Sequence, residues 1–150
     1  ADWIIDLGPG AGIHGGKILL VLRDDNPNIP FPNCWNTPGG GVEDGEHPDD
    51  AMRRELREEI CVEPSTILYK GTTTYSDESV VHRYVVLLTN EERATVRLGD
   101  EGQRLDWFLY DEILALNSSP NFVAYFSTHE RDIRRALEGD VEFEATHELL

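Results

Sequence analysis

Basic residues are scarce in this chain: 13 Lys and Arg stand against 29 Asp and Glu, a formal net charge of −16. An acidic surface repels phosphate backbones, and the few cations form no cluster, so no nucleic-acid polymer is expected as a partner. A small phosphorylated ligand stays open, provided a cation mediates. Cysteine is nearly missing as well. Cys34 and Cys61 are too few for a disulfide scaffold and are not spaced as a metal pair, which predicts a reducing, cytoplasmic setting. Long apolar runs are absent too. The strongest, ILLVL (Ile18 to Leu22) and YVVLL (Tyr84 to Leu88), fall far short of the roughly 20 residues of a membrane helix, so no membrane partner is expected. The opening ADWIIDLG lacks the basic start and apolar core of a signal peptide, and Ala1 in place of Met is expected of a trimmed chain.

Several catalytic signatures are also missing. No G-x-S-x-G occurs, and the dispersed histidines include no H-E-x-x-H, so they read as solvated or packing residues. GPGAGIHGG (Gly8 to Gly16) does contain G-x-G-x-x-G after a plausible strand, but KILLVL follows it. A second strand stands where phosphate binding needs a helix N-terminus, and the segment is read as a flexible hairpin connection.

What is present is the make-up of one folded unit over residues 1–150, with 39% hydrophobic and 28% charged residues and a lead over 1–16 that carries no assigned role. Alternation and β-branched runs predict strands at Trp3 to Asp6, Lys17 to Arg23, Ile67 to Thr74, Val81 to Thr89 and Leu105 to Leu109. A helix is predicted from Pro48, with Asp49 and Asp50 in its first turn and Met52, Leu56 and Ile60 as its buried stripe. A second is predicted from Asn121 to Leu137, with Phe122, Phe126, Ile133 and Leu137 on one side, and a short one from Asp111 to Leu116. Strands interleaved with a few helices predict an α/β or α+β sandwich, a sheet covered on both faces. Arg23 to Pro38, with four prolines, reads as a long ordered loop of the kind that often serves function.

The first helix carries an oddity. In RRELREEIC, Glu55, Glu58 and Glu59 stand at i, i+3 and i+4, one helical face. Like charges at this spacing each cost an isolated helix roughly 0.2 to 0.5 kcal/mol. Two readings of the residues remain: a solvated acidic face paired with Arg53, Arg54 and Arg57, or a site for a hard divalent cation such as Mg²⁺ or Mn²⁺, which takes oxygen ligands.

The surroundings carry a resemblance. GGGVEDGEHPDDAMRRELREEICV (Gly39 to Val62) resembles the Nudix box, G-x5-E-x7-R-E-U-x-E-E-x-G-U, with Gly40, Glu46, Arg54, Glu55, Leu56, Glu58, Glu59 and Val62 in place. Cys61 alone departs, standing where the family has glycine. If that position demands a left-handed backbone, a non-glycine costs roughly 1 kcal/mol or more. DEGQRLDWF (Asp100 to Phe108) is similar to the MutT branch of the family, through E-G-Q followed by Trp.

The resemblance implies a Nudix-type α/β/α sandwich with a mixed β-sheet, Mg²⁺ with Mn²⁺ as substitute, and hydrolysis of a nucleoside diphosphate linked to another group. It implies metal ligation by the Gly39 carbonyl, Glu55, Glu58, Glu59 and Glu101, with Glu59 the firmest ligand. Glu55 is then the first candidate for general base and Glu101 the second, while Arg54 orients Glu46. Arg23 and Asn121 fall close to positions where MutT-type proteins contact a nucleotide. Trp35 and Phe31 could stack on a base, or pack the loop to the core. Thr37 stands where a bulky residue precedes Pro-Gly-Gly. The expected reaction is MutT-like, a nucleoside triphosphate giving monophosphate and pyrophosphate. Nucleotide-sugar hydrolysis is the alternative, and a non-catalytic nucleotide-binding module is carried beside both. A homodimer is left open.

Overall fold

The computed structural model describes residues 3–6, 16–140 and 148–149. Its strands are β1 (Trp3–Asp6), β2 (Ile18–Leu22), β3 (Trp35–Asn36), β4 (Gly39–Gly41), β5 (Thr66–Thr74), β6 (Val80–Leu87), β7 (Arg104–Phe108) and β8 (Glu148–Leu149). Its helices are α1 (Pro48–Ile60), α2 (Asn90–Thr95), α3 (Tyr110–Ile113), α4 (Pro120–Thr128) and α5 (Glu130–Leu137). A mixed five-stranded sheet runs β4-β1-β6-β5-β8, and a three-stranded antiparallel sheet runs β3-β2-β7.

Strand β2 shows why the fold is layered. Successive residues of a strand face opposite sides. Leu19 and Val21 pack with Met52, Leu56 and Ile60 of α1 and with Tyr84 and Val86 of β6. Ile18 and Leu20 pack on the other side with Trp35, Ile113, Phe122, Phe126 and Ile133. One strand thus divides two apolar clusters, each covered by helices, and this is the expected α/β/α sandwich.

Helix α1 forms where its signals place it. His47 caps it through Nδ1, which accepts from the Asp49 N–H at 3.1 Å, Pro48 opens it, and Asp49 and Asp50 face the positive end of its dipole. Its C-terminus is less relaxed. Cys61 sits in the left-handed region at φ 57°, ψ 35°, with its N–H and that of Val62 both turned back to the Leu56 carbonyl, in the manner of a Schellman cap. The reversal buries Val62 in the core. A Cβ here carries the cost foreseen for the family's glycine position. Cys61→Gly is expected to raise stability by about 1 kcal/mol, which a thermal melt reads as a gain of about 2–4 °C; a lower midpoint would refute the strain.

Three expectations are corrected. The helix read from Asn121 to Leu137 is two, broken at His129 (φ −105°, ψ 23°), where the ring stacks on Tyr125 with centroids 4.4 Å apart. On both sides of the break the apolar residues, Phe122, Tyr125 and Phe126 of α4 and Ile133 of α5, pack into the same cluster. The glycine-rich hairpin also fails on its flanks. Residues 7–15 lie outside the described residues, but β1 pairs with β4 and β6 while β2 pairs with β3 and β7, so the two strands it would join belong to different sheets. The loop from Arg23 ends at β3 rather than at Pro38. It holds Phe31 (φ 48°) and Asn33 (φ 56°) in left-handed conformations, which are uncommon for non-glycine residues and for a bulky one most of all.

Candidate active site

The exposed side of α1 meets β4 and two loops. Arg54 is the hub. Its Nε and Nη2 form a fork on Glu46, at 2.9 and 3.0 Å to the two carboxylate oxygens. Nη1 reaches Glu55 at 3.0 Å and Glu58 at 3.3 Å, while Nη2 also donates to the Gly41 carbonyl at 2.9 Å. A planar guanidinium suits this multiple role. The Arg54 bonds, aided by the Glu43 N–H, hold the Glu46 carboxyl below its usual range, and the same bonds push the Arg54 pKa upward.

Glu55 behaves in the opposite way. Burial pushes its pKa above the ordinary carboxylate value, Arg54 opposes the shift, and the charges of Glu58 and Glu101 add to it. Its carboxylate lies against the bare backbone of Gly40, where a Cβ would stand 2.4 Å from the carboxylate carbon and from one of its oxygens. The first glycine of the box is therefore a matter of room. Because the folded pKa is raised, the fold favours neutral Glu55. That contribution is present below the ordinary carboxylate range and is lost as pH rises through the folded pKa, so ionised Glu55 is a cost at neutral pH. Without divalent metal, Glu55→Gln is expected to raise the melting midpoint at pH 7 by about 1–3 °C, with the gain shrinking in acid where the wild-type group is protonated too. An equal gain at pH 7 and at acidic pH would refute this origin.

Glu59 takes a third environment. Its Oε2 accepts from the Gly39 N–H at 2.7 Å, which ties the last turn of α1 to β4. It also lines two cavities. One, of about 210 Å³, is bounded by Arg23, Phe31, Thr37, Gly39, Arg83 and Asn121 among others. The second, also about 210 Å³, has Arg23, Asp24, Glu101 and Gly102 in its wall.

The loop carrying Glu101 is docked on the end of α1. The Arg97 N–H donates to the Ile60 carbonyl at 3.1 Å and the Gly99 N–H to the Glu59 carbonyl at 2.8 Å, satisfying carbonyls that a helix terminus leaves without partners. Sequence reasoning missed Gly99, although a glycine two residues before the acid of E-G-Q was a usable signal.

The charges of Glu58 and Glu101 act on Glu55, and Glu59 shares a cavity wall with Glu101, but in this arrangement the four acids do not close on a common point. Among the described residues no group of three His, Cys, Asp or Glu side chains is placed to hold an ion. Glu55 and Glu58 are engaged by Arg54, and Glu59 by Gly39. The donors nonetheless fit a hard cation, being oxygen throughout. Glu58 is more than half exposed, its Arg54 contact is the longest of the set, and the cradle at Gly40 keeps Glu55 against the glycine backbone.

Of the residues expected to meet substrate, Arg23, Thr37 and Asn121 line the first cavity, and so does Phe31, half exposed at its rim. Thr37 is itself buried, and its Oγ1 has no hydrogen-bond partner. Trp35 is corrected. It is 6% exposed, packed in the second core cluster edge-on to Phe108 with ring centroids 4.9 Å apart, and absent from the cavity wall. Alternation explains this, since on β3 Trp35 faces the core and its neighbour Asn36 faces the cavity. Arg83 was not foreseen. It is 3% exposed, donates to the Tyr75 hydroxyl at 2.6 Å and lies 3.7 Å over the Tyr125 ring.

Comparison with known proteins places this geometry. A family model described as NUDIX domain matches residues 10–127. A protein of Escherichia fergusonii named nucleoside triphosphatase NudI is 42% identical over 72 residues, which is 47% of this chain and 49% of that protein. Its namesake in Escherichia coli strain UMN026 is 31% identical over 112 residues, covering 67% of this chain and 79% of the relative. Among solved structures, MutT of Aliivibrio salmonicida and Vibrio cholerae matches with a TM-score of 0.65 at 20% identity, over 92% of this chain and 98% of that one, a likeness of fold. No described helix is long and apolar enough to cross a membrane.

Proposed function

Because the chain belongs to the Nudix hydrolase family, we propose that it hydrolyses a phosphoric anhydride of a nucleoside triphosphate, releasing a monophosphate and pyrophosphate with Mg²⁺ or Mn²⁺ as cofactor. One observation carries the reading: Glu59 stands in the wall common to two cavities, one bounded by Arg23, Phe31 and Asn121 and the other by Glu101. A nucleoside in the first would put its phosphates beside the acids of α1.

The divalent ion would be held by Glu55, Glu58, Glu59, Glu101 and the Gly39 carbonyl, and when bound it neutralises phosphate oxygens and lowers the pKa of a coordinated water. The rest is done by protein groups. The Glu55 carboxylate takes the proton of the attacking water. Glu101 is the second candidate for that proton. Arg54 holds Glu55 and Glu46 in fixed orientation, and Glu46 carries no step of its own. Arg23 and Asn121 offer polar contacts to the nucleoside, Phe31 a stacking face, and Thr37 the back of the cavity.

The test is a panel of nucleoside triphosphates, nucleotide sugars and dinucleoside phosphates assayed with and without Mg²⁺, with products identified. Monophosphate and pyrophosphate from a triphosphate are expected. Sugar phosphate from a nucleotide sugar, with triphosphates left intact, would overturn the substrate, and nucleotide binding without turnover would overturn the reaction.

A further inference from the structure

Gln103 follows Glu101 and Gly102 at the surface, yet both N–H groups of its side-chain amide are engaged. Nε2 donates to the Arg23 carbonyl at 2.8 Å and to Asn33 Oδ1 at 2.9 Å, and the Gln103 backbone N–H donates to the Leu22 carbonyl at 2.9 Å. The Arg23 carbonyl can only accept, which fixes which end of the amide is the nitrogen. One residue earlier, the Gly102 N–H donates to Asp24 Oδ2 at 3.2 Å.

Glu101 is therefore strung between two anchors. On one side the loop is bonded to the end of α1 through Arg97 and Gly99, and on the other to the segment 23–34 through Gly102 and Gln103. That segment presents Arg23 and Phe31 to the first cavity, with Phe31 and Asn33 held at positive φ. Such conformations persist only where surrounding contacts impose them. Asn33 is the residue that Gln103 grips, so a displacement of the cavity loop is passed to Glu101 through the Gln103 side chain, beside the Gly102 bond to Asp24.

We propose that Gln103 is a positioning residue that couples the loop bounding the nucleoside cavity to the acid at Glu101, so that seating the nucleoside aligns the acid. This rests on the reading above of which cavity takes the nucleoside. Gln103 is in the wall of neither cavity; it acts through Glu101 on one side and through Arg23 and Phe31 on the other.

Gln103→Met removes both donors without adding charge. Its kcat on a nucleoside triphosphate is expected to fall about tenfold, the lower end of what losing a supporting hydrogen bond costs an active site, with KM raised. In a Glu101→Gln background the same change leaves kcat where it was, because the residue it positions is already disabled, while KM still rises. A merely structural role would lower kcat by the same factor in both backgrounds, and that result overturns the proposal. Hydrogen exchange reads the clamp without turnover: in Gln103→Met the amides of 23–34 and of 99–103 are expected to exchange about tenfold faster together. Loosening confined to one segment overturns the coupling. A wild type that turns over no nucleoside triphosphate sinks the substrate reading instead, and joint loosening then still upholds the clamp.

Discussion

Glu59→Gln is expected to lower kcat on the preferred nucleotide by on the order of 10³-fold, the effect of several kcal/mol of lost charge stabilisation in the transition state. The amide oxygen can still accept from the Gly39 N–H, so the tie between α1 and β4 survives. The thermal midpoint without metal is expected to stay within about 1–2 °C of wild type, as for a change that breaks no packing. The loss should therefore appear as a raised Mg²⁺ requirement and a lowered kcat in a folded protein. Pyrophosphate release against Mg²⁺ concentration measures the first two, and a melt measures the third. Turnover at the wild-type rate would remove Glu59 from the ligand set and with it the reason for placing phosphates between the two cavities.

Gly99→Ala is the second large effect, and its origin is steric. A Cβ on Gly99 would stand 1.9 Å from the Glu58 carbonyl oxygen, 2.9 Å from that carbonyl carbon and 3.1 Å from the Glu59 carbonyl oxygen. These are backbone atoms of the last turn of α1, so no rotamer change relieves the clash. The loop must back away, giving up the Gly99 N–H bond to Glu59 and carrying Glu101 with it. Such overpacking costs about 1–3 kcal/mol, and a shift of about 1 Å in a catalytic group can cost roughly 10²-fold in rate. Both are expected here, read by denaturant unfolding and by kcat. A variant with wild-type stability and wild-type kcat would show that the loop tolerates retreat and that Glu101 does not need its anchor. Gly40→Ala differs in kind, because its Cβ would meet the end of the flexible Glu55 side chain, which can swing away from the cradle.

Much of the site was legible because it lies on one helix. Within α1, the spacing of Glu55, Glu58 and Glu59 and the stripe of Met52, Leu56 and Ile60 follow from 3.6 residues per turn, whatever the helix packs against. The main strands were legible for a similar reason, since alternation in a run such as Ile18 to Leu22 reports two faces. Strands β3 and β4, of two and three residues, are too short to show a period, and they exist because partners pair with them. Trp35 shows the same limit, since composition marked it as an aromatic near the box and only the pairing with β2 turns it inward. The break at His129 was not legible, because Phe122, Phe126, Ile133 and Leu137 keep one helical face whether or not the helix is interrupted.

By itself the sequence determined which groups this protein has for chemistry and the local frame that holds most of them: the box, its arginine, its glutamates and the glycine at position 40. Only the tertiary structure decided how they are shared out, with Arg54 spent on Glu46, Glu55 and Glu58, Glu59 set between two cavities, and Glu101 slung between α1 and the loop that Gln103 grips. The physical reason is range. Helical periodicity acts over a turn or two and can be read along the chain, whereas the bonds from Gly99 to Glu59 and from Gln103 to Arg23 join residues far apart in sequence, at distances that exist only once the core has closed.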